Sequence, residues 1–195
     1  ASSVFAPMPP GMTGIIEPGA RAVIEAAGSI EKPILGALTS SAAIERRALE
    51  RAVMKRRTRA KLHMRAAPTL AMLAEEGRSD DDALLIIACE QAIEPLLSRD
   101  VEALLIGTAA IAPLRHRIAA LAGDHVRVVD ASRATADDVA RRLTRSQLLR
   151  PGPIDSGAML SPHLMPNFSW YLTDESPAIF DRAEHLAGRE LPMPR

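Results

Sequence analysis

The 195-residue sequence contains one cysteine, Cys89, which excludes an internal disulfide and any cage of thiolates around a metal. Net charge is absent too: 24 basic and 24 acidic side chains cancel, so no overall field directs the chain to nucleic acid or an anionic membrane. Its apolar stretches are short or broken by charge, and none is long enough to span a bilayer. The opening ASSVFAPMPPG lacks the basic start and long apolar core of a secretory leader. A cytoplasmic protein is the resulting expectation. The five histidines (His63, His116, His125, His163 and His185) form no ligand-spaced group with a carboxylate and a third donor, so no metal is assigned. Glycine-rich phosphate loops and the GxSxG pattern are also missing. Aromatics make up 3%, and Phe168, Trp170, Tyr171 and Phe180 all lie after residue 167, where they are expected to pack a last strand and helix.

What is present is the balance of a globular domain, with 47% hydrophobic and 25% charged residues. Nine of the fifteen prolines cluster at 7–10, 151–153, 162–166 and 192–194, predicting irregular ends and an irregular link near 151–168. Between them, short apolar runs alternate with helical stretches. GIIE (14–17) reads as a strand, turning at Pro18-Gly19 into a helix through about Ala27. PILGAL (33–38) reads as a second strand, with Thr39 or Ser40 placed to cap a basic helix over 41–57. Ser79, followed by three aspartates, predicts the start of a helix running to Leu97, which Pro95 ends or bends. VEALLIG (101–107) is the clearest strand, an apolar run suited to burial on both faces. A helix over 111–121, a strand at 126–130, a helix over 134–147, a strand at 169–173 and a helix over 176–187 complete the order. The alternation predicts an α/β fold, a parallel sheet flanked by helices. Ligands of such sheets sit beyond the carboxyl ends of the strands, here just after Glu17, Leu38, Gly107 and Asp130.

Five segments in order resemble glutamate racemases. GIIEPGARAVIEAA (14–27) is similar to the family's glycine, two aliphatics, an acid or amide, then Pro-Gly-Ala-Arg-Ala. ILGALTSSAA (34–43) sits where the family has a strand ending in Gly-Thr with another threonine three residues on. AAPTLAMLAEEG (66–77) resembles its Ala-Cys-Pro segment, which ends in an acidic residue and glycine. The stretch from Ala103 to Ala140 aligns without a gap to its Gly-Cys-Thr-His-Tyr-Pro region, and 171–191 is similar to its last strand and helix. The resemblance implies two facing α/β domains with the active site between them. In that scheme 14–128 is the inner domain, while 1–13 and 129–195 belong to an incomplete outer one whose first half, with the first catalytic cysteine, is expected to precede Ala1.

The activity implied is cofactor-independent interconversion of L- and D-glutamate, which supplies D-glutamate for peptidoglycan. No pyridoxal cofactor serves as electron sink; two opposed thiols act instead, one as base and one as acid. Counting from Gly107, the second thiol falls at Thr108, and the family's next threonine and histidine fall at Ala109 and Ala110. A hydroxyl is a far weaker acid than a thiol, so impaired catalysis is expected. Thr39 and Ser40 stand where the family's threonines hold a carboxylate, and helix capping explains them equally well. Ala37 and Ala67 replace a threonine and a cysteine of the family pattern. Glu75 matches the family's acidic position, although a solvated carboxylate at a helix end is the simpler account. Asp130 reads as a cap for the helix after it. Cys89 sits within DALLIIACEQAIEPLL, an apolar helix, and reads as a core residue rather than a replacement thiol.

Two alternatives stand beside this reading. One is a non-catalytic binding protein that reuses the scaffold, as a homo-oligomer or with a protein partner over the incomplete outer domain. The other is live chemistry of a different kind, for which no new acid, base or nucleophile is evident. Nine of the 24 basic residues fall in 46–65, among them Arg47, Arg51 and Lys55 spaced by four. Acidic residues interrupt that stretch and no aromatics are there to stack bases, which argues against nucleic acid.

Overall fold

In the computed structural model, residues 13–79, 81–148, 179–181 and 183–184 are described. Four parallel strands form one sheet in the order β2-β1-β3-β4. The strands are β1 (Ile34–Thr39), β2 (Lys61–Ala66), β3 (Ala103–Ile106) and β4 (Arg127–Asp130). Helix α1 (Ile16–Ala26) precedes β1, and α2 (Ser41–Arg46) and α3 (Ala48–Arg56) join β1 to β2. Helices α4 (Pro68–Glu75) and α5 (Ala83–Leu97) lead to β3. A 3-10 segment (Ala109–Leu114) and α6 (Arg115–Ala122) lead to β4, and α7 (Ala131–Arg145) follows it directly.

Strand alternation builds two cores, one on each face. Leu104 and Ile106 of β3, with Leu38 of β1, face α4, α5, α6 and the 3-10 segment. Ala103 and Leu105, with Leu35 and Ala37, face α1 and α3. Every residue of β3 is buried, as a strand covered on both faces requires. Cys89 is wholly buried in the first core, beside Leu85, Ala92, Ile93 and Leu96 of the same helix.

Four local expectations are corrected. GIIE (14–17) is not a strand: α1 begins at Ile16, with Gly19 N–H donating to the Ile15 carbonyl at 3.0 Å. A run of four residues carries little periodic signal, and the second core draws Ile15 and Ile16 inward as a helix entry. Pro18 is accommodated because first-turn N–H groups have no intrahelical acceptor. Gly19 is buried where an added Cβ would lie 3.2 Å from that of Ala131, so its lack of a side chain lets α1 settle onto β3 and α7.

The basic helix over 41–57 is two helices. Arg47, left-handed at φ 51°, ends α2 and starts α3, and its guanidinium grips Glu50 through two bonds of 2.6 and 2.8 Å. The break turns Leu49, Ala52 and Val53 into the second core, whereas α2 buries nothing. It also dissolves the evenly spaced basic face, because Arg47 lies outside the helix carrying Arg51 and Lys55.

The start of α5 is capped by Asp82 rather than Ser79, its carboxylate accepting from Leu84 N at 2.8 Å and Leu85 N at 3.1 Å. Those backbone donors and Arg78 hold the Asp82 carboxyl below its usual value. Pro95 lies inside the last turn and the helix still reaches Leu97. Strand β2, finally, is an element that sequence reasoning passed over. Its Lys-Leu-His-Met-Arg-Ala alternates polar and apolar at period two, the signal of a half-buried strand, but the basic residues dominated the reading. The strand expected at 169–173 lies outside the described residues. Of the helix expected over 176–187, residues 179–181 and 183–184 are described and helical.

Candidate functional site

Because all four strands are parallel, their carboxyl ends open on one side of the sheet. Thr39 ends β1 and is 5% exposed. Gly107 follows the neighbouring β3, and its N–H donates to the Leu38 carbonyl at 2.8 Å. A Cβ at Gly107 would lie 3.1 Å from that carbonyl oxygen and 3.4 Å from the Thr39 hydroxyl oxygen. A side chain at Gly107 would press tightly on the end of β1, and Thr108 follows one residue past the level of Thr39.

On the other side of β1, Ala67 N–H donates to the Thr39 carbonyl at 3.3 Å, tying the end of β2 to the same point. Ala67 is buried at the start of α4, and α4 packs against the 3-10 segment that follows Thr108. Ile111 and Leu114 of that segment join Leu70, Leu73 and Ala74 of α4 in the first core.

The sequence-selected residues divide accordingly. Thr39 and Thr108 come together on adjacent strand ends. Ala109 and Ala110 form the first turn beyond Thr108, one exposed and one half-buried. Thr108 caps the 3-10 segment in extended conformation without a side-chain hydrogen bond to it. Ser40 is exposed, and its hydroxyl accepts from Ala43 N at 3.3 Å as the cap of α2. Glu75 is exposed on the last residue of α4, about 10 Å along the helix from Pro68 at 1.5 Å per residue. Asp130 pairs with Ile106 across the strands, and its carboxylate accepts from Ser132 N at 2.8 Å, the capping role expected of it. Glu17 is not at a strand end; it is exposed in the first turn of α1 and pairs with Arg56 at 2.7 Å.

A parallel sheet with small side chains and hydroxyls at its carboxyl edge can hold a small polar ligand. Among the described residues no group of three or more His, Cys, Asp or Glu is placed to hold a metal ion. No helix among them is long and apolar enough to cross a membrane.

The glutamate racemase of Geobacter metallireducens is 30% identical over 140 residues, which span 72% of this chain and 50% of that protein. That of Beutenbergia cavernae is 30% identical over 174 residues, 87% of this chain and 57% of the relative. A crystal structure of a glutamate racemase isoform from Bacillus anthracis superposes with a TM-score of 0.75 at 26% identity, covering 91% of this chain and 61% of that one. By sequence and by fold, this is a protein of the glutamate racemase family. No family model matches the sequence. The Francisella tularensis glutamate racemase, whose structure is a complex with D-glutamate, shares the fold with a TM-score of 0.72 at 16% identity. The chain spans about half the length of the curated relatives it matches.

A depression beside these strand ends was missed by sequence reasoning. It is an open depression of about 140 Å³ where β2 gives way to α4, against α5. Arg65, Thr69 and Gln91 are its exposed polar walls, with Ala66, Ala67 and Ala88 between them. Reading the alternation of β2 would have placed Arg65 on the strand, but not its meeting with Thr69 and Gln91.

Proposed function

We propose that this glutamate racemase-family chain binds an acidic amino acid at the strand ends around Thr39, Ser40 and Thr108 to Ala110, and cannot racemise it. The observation that carries this reading is the residue following Gly107 at the tip of β3. Register along the resemblance puts Thr108 at the second thiol, with Ala109 and Ala110 at the adjoining hydroxyl and imidazole.

Racemisation removes the α-proton from one face of glutamate and delivers a proton to the other. Each face needs a group that can be either acid or base near neutral pH. A thiol, with an ordinary pKa of about 8.5, suits this. The Thr108 hydroxyl does not ionise in that range, so it offers no base, and the methyl side chains of Ala109 and Ala110 relay no proton. Loss of either base stops a two-base racemisation, so the argument holds at this one position. Thr39 keeps a hydroxyl beside the same point, which supports retained ligand binding without turnover.

The same proposal assigns 14–128 to an inner unit and 1–13 with 129–195 to an outer one. It also assigns a cytoplasmic setting and descent from enzymes that supply D-glutamate for peptidoglycan. Limited proteolysis tests the division, because β4 and α7 pack on the same sheet past residue 128.

The deciding experiment incubates the chain with L-glutamate, and separately with D-glutamate, in D2O and follows the α-proton by NMR. The expected result is no loss of that signal beyond a heat-inactivated control. Exchange above that control, abolished by Thr108→Ala, would overturn the reading.

A further inference from the structure

We propose that the depression at the carboxyl end of β2 is a second binding site, one for a small oxyanion, carboxylate or phosphate, adjoining the strand end at Thr39 but lined by Arg65, Thr69 and Gln91. Three observations converge there. The first is the cavity itself, about 140 Å³ between β2, α4 and α5, which has room for several water-sized groups.

The second is its charge. Arg65 stands on the wall, while Lys61, on the same side of the strand, lies about 13 Å away at its amino end. Arg99 follows α5 and, with Lys61, acts on His63, which lies between Lys61 and Arg65 on that side of the strand. Partial burial foremost, then the charges of Arg99 and Lys61, hold the His63 imidazole below its usual pKa. Elsewhere on the surface, arginines such as Arg47, Arg56, Arg59 and Arg78 are matched by carboxylates. Arg65, Lys61 and Arg99 take part in no ion pair among the described residues. Of these three cations Arg65 alone lines the depression, and an unmatched guanidinium on the wall raises the potential there for an anion.

The third is the set of neutral donors. Thr69 supplies a hydroxyl and Gln91 an amide on opposite walls. Pro68 at the start of α4 has no N–H, and Ala67 before it offers no side-chain acceptor to the N–H groups of Thr69 and Leu70. Arg65 can clamp two oxygens of one anion in a planar fork, a geometry shared by carboxylate and phosphate. Neither the fork nor the donors depend on thiol chemistry, so this site stands whether or not the chain racemises glutamate.

The test is a titration of the full 15N-labelled chain with inorganic phosphate, and separately with succinate, at constant ionic strength set by chloride. Saturable shifts are expected at the amides of Thr69 and Leu70, the Gln91 side chain and Arg65 Nε, with the His63 imidazole pKa rising on saturation. Arg65→Ala should weaken binding about tenfold or more, the worth of a charge-assisted bond, while Arg65→Lys recovers part of it. Whichever anion binds more tightly identifies the chemistry of the ligand. Unsaturated shifts that are equal in Arg65→Ala, or shifts centred on Thr39 and Thr108, would overturn the proposal.

Discussion

Asp138 offers a quantitative check on how α7 is held. Its carboxylate is 5% exposed and reaches Arg21 of α1 at 2.6 Å, Arg142 at 2.7 Å and Arg141 at 3.4 Å. The bond to Arg21 joins residues 117 apart in sequence and clasps α7 to α1. Replacing Asp138 by alanine removes these bonds and leaves the guanidiniums without their partner. Side-chain exposure sets the cost: Arg21 is 31% exposed, whereas Arg142 and Arg141 are 56% and 49% exposed. The Arg21 bond should contribute about 1.5 kcal/mol, the low end for a charged hydrogen bond. The two exposed pairs within α7 add about 0.3–0.5 kcal/mol each, as surface helix pairs do. The sum, about 2 kcal/mol, lies below the cost of breaking a deeply buried pair because the freed arginines can rehydrate. For a chain of this length that lowers Tm by about 4–8 °C.

The pH dependence gives a second handle on the same clasp. Hydrogen bonding from Arg21 foremost, then from Arg142, holds the Asp138 carboxyl below its usual value. A carboxyl depressed in the folded state contributes stability that is present above its unfolded pKa, about 3.9, and lost as pH falls through the lower folded value. The gap between wild type and Asp138→Ala should therefore be constant from about pH 5 to 7 and close below about pH 4. Urea denaturation across that range measures it, with the m value unchanged. A gap under about 0.5 kcal/mol, or one that persists undiminished in acid, would refute the clasp as drawn.

Two further outcomes follow from the cores. Cys89 is fully buried, so an aromatic disulfide reagent should leave the native chain unmodified and react with one thiol only as the chain unfolds. Rapid stoichiometric labelling without denaturant would place the thiol outside the core. Gly36→Ala would set a Cβ 2.9 Å from Leu104 Cδ1, with Val101 and Leu96 methyls at 3.5 and 3.6 Å. Overpacking of this kind costs about 1–3 kcal/mol. A urea midpoint equal to or above wild type would show that Leu104 gives way freely.

Part of the site was legible in the sequence because it depends on local order. The glycine after an apolar run marks the end of β3, so Thr108 could be placed at a strand tip by counting. Asp130 could be read as a cap because a carboxylate beside two free N–H groups is a local arrangement. The cavity beside β2 was not legible in that way. Arg65, Thr69 and Gln91 come from a strand, the helix after it and the next helix, and their meeting depends on how α5 crosses the sheet.

The sequence by itself determined the α/β class, the three apolar strands and their helices, since hydrophobic period and capping act over a few residues. It also placed a threonine and two alanines where a racemase needs a thiol, a hydroxyl and an imidazole. Only the tertiary structure decided the strand order, the break at Arg47 and the pairing of Arg21 with Asp138. Each of those rests on contacts between segments far apart in the chain, where burial outweighs local preference. The same distinction accounts for GIIE: four residues carry too little pattern to resist the core that draws them into a helix.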